Sequence, residues 1–249
     1  EKVEMTFTAS ICDETDSETK TVLDGQLGDE LRKVLWSPGD EIGIAASKSS
    51  VVERFENTES ENSETATFKG GVSIADTYYA AYPYSGVICP DGVGYSALKF
   101  DLPQTQKYTA GSFGLECAPM VAKANNGEEF RFKNLCGILA LNLTGTESVK
   151  SITFIGKDAN GEPMYVSGGF VVNMNYENVP TMKPAADFVA NAWSSSKSVT
   201  LECEEPVQLN ETEATTFYIA LPPATYETFS LLITTADGKI MMKEGTKPL

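Results

Sequence analysis

The side chains that could carry chemistry in this chain are its thiols and carboxylates, because it contains no histidine. That absence removes the Ser-His-Asp triad, the Cys-His pair, histidine zinc ligands and the commonest general base. The five cysteines are Cys12, Cys89, Cys117, Cys136 and Cys203. None stands in a C-x-x-C pair, so neither a zinc knuckle nor a dithiol redox site is indicated. Cys136 lies in an apolar run, 135–143, and reads as a small core hydrophobe. The odd count leaves at least one thiol free, and an oxidising compartment allows a disulfide between some pair of the others.

Paired carboxylates could hydrolyse a glycosidic bond if two of them faced each other across a cleft. Pairs such as Glu128-Glu129 and Glu204-Glu205 are adjacent in sequence, and neighbours on a strand point to opposite faces. Five glutamates fall within Glu53–Glu64. A calcium loop needs carboxylates at tight spacings closed by a glycine turn, and this stretch has no such glycine, so it reads as a solvated hairpin loop. Tyr78, Tyr79, Tyr82, Tyr84, Trp193 and Tyr226 could stack on sugar rings. Tyr78 and Tyr82 share a strand face with Ala80, which points to core packing, while Trp193 sits in an irregular stretch. No nucleophile elbow, phosphate loop or dinucleotide fingerprint is present. The expectation is therefore no catalytic residue, no cofactor, no bound metal and no hydrolase activity.

The composition narrows the partners. Thirty-five acidic residues against 19 basic give a net charge of −16, which repels phosphate backbones and anionic lipid surfaces. At 249 residues and 41% apolar, the chain can bury a sizeable core. No apolar run approaches the ~18 residues of a membrane helix.

The elements that would position any site are strands. Val3, Met5, Phe7 and Ala9 alternate with Glu4, Thr6, Thr8 and Ser10, a two-residue period with one buried face. Further strands are read at Ile42–Ala45, Tyr78–Tyr82, Leu98–Leu102, Ile138–Leu143, Val149–Ile155, Thr216–Leu221 and Phe229–Thr235. Asp237-Gly238 marks a hairpin into Lys239–Met242. One short helix is expected at Ala185–Trp193. Asn125-Asn126-Gly127 is a strong turn signal between two runs of strands. The pattern predicts an all-β chain of two tandem β-sandwiches, residues 1–122 and 123–249.

Between Trp36 and Ala45, Pro38-Gly39-Asp40 supplies turn chemistry ahead of a strand with Ile42 and Ile44 on one face. Trp36 is large enough to plug the end of a small sheet core. Taken with Met5-Thr6-Phe7-Thr8, Ala66-Thr67-Phe68-Lys69-Gly70, Tyr78-Tyr79-Ala80-Ala81-Tyr82-Pro83, Leu102-Pro103-Gln104-Thr105-Gln106 and Phe130-Arg131-Phe132-Lys133-Asn134-Leu135, this ordered set resembles the fimbrillin-like proteins of Bacteroides and its relatives. The resemblance implies two transthyretin-like, Greek-key sandwiches. It also implies export to the cell surface or outer membrane, with membrane attachment only through a lipid anchor outside this sequence. The role it implies is a non-enzymatic pilus subunit or adhesin whose partners are other pilus subunits and a host or bacterial surface receptor, not nucleic acid. Assembly would be by donor-strand exchange after a protease removes an N-terminal strand. In this chain the strand to be displaced would carry Val3, Met5, Phe7 and Ala9, and cleavage would fall at Lys20, Arg32 or Lys33. Lys243–Leu249 stops where a further C-terminal strand is expected. The alternative reading is a surface glycan-binding module, which would display an exposed aromatic platform.

Overall fold

The computed structural model describes residues 2–11, 22–23, 34–47, 49, 51–84, 87–88, 97–187 and 195–249. The chain is all-β, and the described residues contain no α-helix. Where a short helix is expected from Ala185, there is one 3-10 turn, Ala185–Asp187, and residues 188–194 lie outside the described set.

The first layer closes into a barrel instead of remaining an open sandwich. Numbered in chain order, its strands are β1 (Lys2–Ile11), β4 (Glu41–Ala46), β5 (Glu53–Asn57), β6 (Thr65–Ser73), β7 (Thr77–Tyr82), β11 (Met120–Asn125) and β12 (Phe130–Asn134), in the spatial order β1-β12-β11-β7-β4-β5-β6. A two-stranded ribbon, β2 (Val22–Leu23) with β3 (Val34–Leu35), precedes Trp36. The alternation read from the sequence puts Phe7, Ile42, Ile44, Phe55, Phe68, Tyr78, Ala80, Tyr82, Phe130 and Phe132 inside. The rings form two layers. Phe7 stands 5.6 Å from Phe55, 5.1 Å from Tyr78 and 5.1 Å from Phe130. Trp36 stands 5.0 Å from Phe68, 5.7 Å from Tyr82 and 5.1 Å from Phe132, edge-on to each. Such edge-to-face pairs add to the burial term itself. Asp40 fixes the turn below Trp36, where one carboxylate oxygen accepts from the Ser37 amide at 2.7 Å and the other from the Tyr82 hydroxyl at 3.2 Å.

The boundary expected between residues 122 and 123 falls inside β11, and the barrel continues to Asn134, because Ala124, Phe130 and Phe132 lie in its core. A second departure is that strands from the first half pair with strands of the second. β9 (Ala97–Leu102) pairs along its length with β15 (Ser167–Asn173), in a sheet ordered β16-β15-β9-β8 with β16 at Met182–Pro184 and β8 at Val87–Ile88. β17 (Ser195–Ser196) also joins β15. The Gly168-Gly169 pair does not interrupt β15 but lies within it. β10 (Thr105–Lys107) lies parallel to β18 (Val199–Gln208) at the edge of a five-stranded sheet. That sheet runs β10-β18-β14-β20-β21, with β14 at Ser148–Lys157, β20 at Thr228–Thr235 and β21 at Ile240–Gly245. Facing it, among the described residues, are two strands, β13 (Gly137–Leu143) and β19 (Thr215–Leu221).

One face of the β9–β15 sheet joins the two parts. Leu98, Phe100 and Val172 pack on Ala81 and Val121 of the barrel's outer surface. Leu102 and Phe170 pack on Tyr218 and Ala220 of β19, together with Cys117 and Cys136. Lys123 and Lys133, outside the barrel, donate to the Tyr176 and Asn178 carbonyls, and the Lys123 ammonium lies 4.8 Å from the Tyr176 ring centre.

Candidate functional site

The residues weighed for chemistry do not converge. The Glu128 carboxylate accepts from the Asn125 amide at 3.0 Å and so caps the β11–β12 turn. Glu204 and Glu205 are exposed on β18. The acidic stretch is the β5–β6 hairpin, as expected, with Glu53 paired to Lys2 at 2.7 Å and Arg54 paired to Glu41. Among the described residues no group of three acidic or cysteine side chains could hold a metal ion.

Of the six aromatic candidates, Tyr78, Tyr82 and Tyr226 are buried and Tyr79 and Tyr84 half-buried, while Trp193 lies outside the described residues. The Tyr226 hydroxyl donates to the Pro222 carbonyl at 2.7 Å. Burial, then the neighbouring Asp40 carboxylate, push the Tyr82 hydroxyl up. Cys117, Cys136 and Cys203 are free and buried. Loss of solvent pushes the Cys117 thiol up to about 12 and Cys203 to about 11, and Cys136 rises for the same reason. Thiols held protonated in this way are poor nucleophiles. Cys12 and Cys89 lie outside the described residues.

The candidate that the fold singles out is β1. It closes the barrel, and it is held unevenly. Antiparallel pairing to β6 runs from Lys2↔Ser73 to Ser10↔Thr65. On its other side, parallel pairing to β12 covers only Ala9↔Phe130, Ser10↔Arg131 and Ile11↔Phe132. Among the described residues, positions 2–8 are therefore laddered on one side alone. Of the four apolar side chains expected inside, Phe7 and Ala9 are buried and Met5 half-buried, with the Tyr78 hydroxyl 3.5 Å from its sulfur. Val3 departs from the expectation: it is 36% exposed although its β6 partner Val72 is buried, because the β12 register begins only at Ala9 and leaves Val3 unflanked on that side. On the outer face Glu4 pairs with Lys69 at 3.1 Å. The expected cleavage points Lys20, Arg32 and Lys33 lie outside the described residues.

Sequence reasoning missed Gln106, a buried side chain in a stretch that reads as a polar connection. Its amide nitrogen donates to the Ala220 carbonyl and its oxygen accepts from the Ala220 amide, both at 2.9 Å. A three-residue strand is too short to show a period, so no local signal marks it.

No protein-family model matches the chain, and no curated protein sequence matches it. Among solved structures, one from Bacteroides ovatus, provisionally named a cell adhesion protein, is similar at a TM-score of 0.47 and 11% identity, covering 87% of this chain and 81% of that one. That likeness is too slight to assign a family or a function.

Proposed function

We propose that the protein is an exported, non-enzymatic cell-surface subunit, a pilus component or adhesin, that assembles by exchanging β1 for a strand from another subunit. The observation that carries this reading is the uneven hold on β1: nine register positions on β6 against three on β12. Removing β1 opens the barrel, bares Phe55, Tyr78 and Phe130 where Phe7 packed, and frees the edges of β6 and β12. An edge of that kind is a template for an incoming strand, with main-chain bonds giving affinity and alternate side-chain pockets giving selectivity. Proteolysis in 12–33, the stretch after β1, would release it, with Lys20, Arg32 and Lys33 as trypsin-type sites.

The test is limited trypsin digestion followed by mass spectrometry and size-exclusion chromatography. Cleavage after Lys20, Arg32 or Lys33 is expected to yield assemblies larger than the intact chain forms at the same concentration, which an excess of the Val3–Ser10 peptide suppresses. A cut chain that forms nothing larger than the intact one and is as heat-stable would rule the reading out.

A further inference from the structure

The second sandwich has an edge that nothing in the described chain protects. In the sheet of β13 and β19, the Gln106 carboxamide occupies the β19 edge, bonding both the amide and the carbonyl of Ala220. Both polar groups of Ala220 thus point away from β13, so Ala220↔Ile138 is a pair without mutual hydrogen bonds. The register continues unbroken to Leu143↔Thr215. Ile138, Ala140 and Asn142 therefore turn their amides and carbonyls outward, to the side where no described strand lies.

This edge differs in composition from the others. β10 ends in exposed Lys107, β16 carries exposed Lys183, β21 carries exposed Lys243 and Glu244, and β8 is only two residues long. Charges and short length are the usual guards against edge pairing. Gly137–Leu143 has seven residues and no charge.

The apolar layer is also incomplete beside it. Gln106 places β10 on the far side of β19, so the five-stranded sheet extends past β13 toward β20 and β21. There Phe229 and Met241 are only half-buried, as are Leu139, Leu141 and Leu143 on β13.

We propose that β13 pairs antiparallel with β13 of a second copy of this chain, about a two-fold axis through Ala140. This goes beyond the exchange of β1 and holds whether or not that reading does. The edge is self-complementary in that register. Ala140 meets Ala140 and Ile138 meets Asn142, so every outward amide and carbonyl of the three residues finds a partner. Leu139 meets Leu141 on the inner face, and the second copy's leucines continue the layer over Phe229 and Met241. β13 itself carries no charge, so pairing two copies along it sets no like charges face to face on the strand. A two-fold contact of this kind uses the same surface on both copies and closes at two.

Sedimentation equilibrium of the intact chain, with Ala140→Pro and Ala140→Lys, tests the pairing. Ala140 is exposed on an edge strand, and its amide bonds nothing among the described residues, so proline there removes only the outward donor. Lysine would set two ammonium groups against each other on the axis. The wild type is expected to form dimers and no larger species. Each variant is expected to weaken the dimer by about tenfold or more, the scale of one lost hydrogen-bonded pair, with an unchanged melting temperature at dilutions where wild type and variant are both monomeric. Mild oxidation of Ala140→Cys is expected to trap a covalent dimer that the parent does not form, since paired residues of this type lie about 5.5 Å apart at Cα, within disulfide reach. A wild type that stays monomeric to its solubility limit, dimers indifferent to both substitutions, or an open-ended ladder of sizes would each overturn the proposal.

Discussion

The barrel and the second sandwich solve the same problem differently. Both must bury apolar faces of short strands and leave no backbone edge exposed. The barrel does so by closure, seven strands around two layers of rings centred on Phe7 and Trp36. The second sandwich sets five strands against two and protects one edge of the smaller sheet with a single side chain, Gln106. Closure removes all edges but the one beside residues 2–8 of β1, and makes the whole core depend on that last strand. Open packing leaves the core independent of any one strand but exposes a pairing surface.

If this contrast is right, the largest effect of a single substitution belongs to the strand that closes the barrel. Phe7→Ala should cost about 3–5 kcal/mol, since Phe7 contacts three other rings in a core with no slack. Leu141→Ala, on the half-buried face of β13, should cost much less; equal losses in chemical denaturation would break the comparison. Next comes Gly70→Ala. A Cβ at Gly70 would sit 2.5 Å from the Arg54 carbonyl oxygen and 2.8 Å from the Phe55 ring, so overpacking of roughly 1–3 kcal/mol is expected, measured the same way.

Gln106→Leu keeps the bulk but strands two buried backbone groups of Ala220, and should cost roughly 1–3 kcal/mol. Its unfolding should begin in the second sandwich while the near-ultraviolet signal of the barrel's rings persists. Alkali sharpens the contrast further. Cys117 keeps its proton to about 12 in the fold but loses it from its ordinary 9.0 once unfolded. Between those values the unfolded chain has released a proton that the folded one retains, so stability falls as pH rises, by up to about 1.4 kcal/mol per pH unit for each such thiol. Cys136 acts in the same direction. Buried tyrosines begin one unit later, from 10.0, and the barrel core contains no thiol among the described residues. The second sandwich is therefore expected to loosen first on raising the pH above 9, followed by circular dichroism. The smallest effect should be that of Ala140→Pro, within about 0.5 kcal/mol of wild type by thermal melting at dilutions where both are monomeric.

Much of the strand inventory was legible because its cause is local. Alternation in Val3–Ser10 and Tyr78–Tyr82 records which face each strand buries, and Asn125-Asn126-Gly127 and Asp237-Gly238 are turns by their own chemistry. What was hidden depends on partners distant in sequence. The parallel contact of β1 with β12, the passage of β9 and β10 into the second half, and the two bonds from Gln106 to Ala220, 114 positions away, leave no periodic trace. Val3 fits the alternation perfectly and is still partly exposed, because period reports a face and not whether a second strand flanks the residue. The candidate site was half legible for the same reason: its strand could be read, but the uneven hold on it could not.

Native-state hydrogen exchange tests that uneven hold most directly. The amides of β1 that bond to β6 should open together, at a free energy well below that of the amides linking β7 to β11. Protection of residues 2–8 equal to that of β7 would mean that β1 leaves only when the whole barrel unfolds, and would contradict its role as the exchangeable strand.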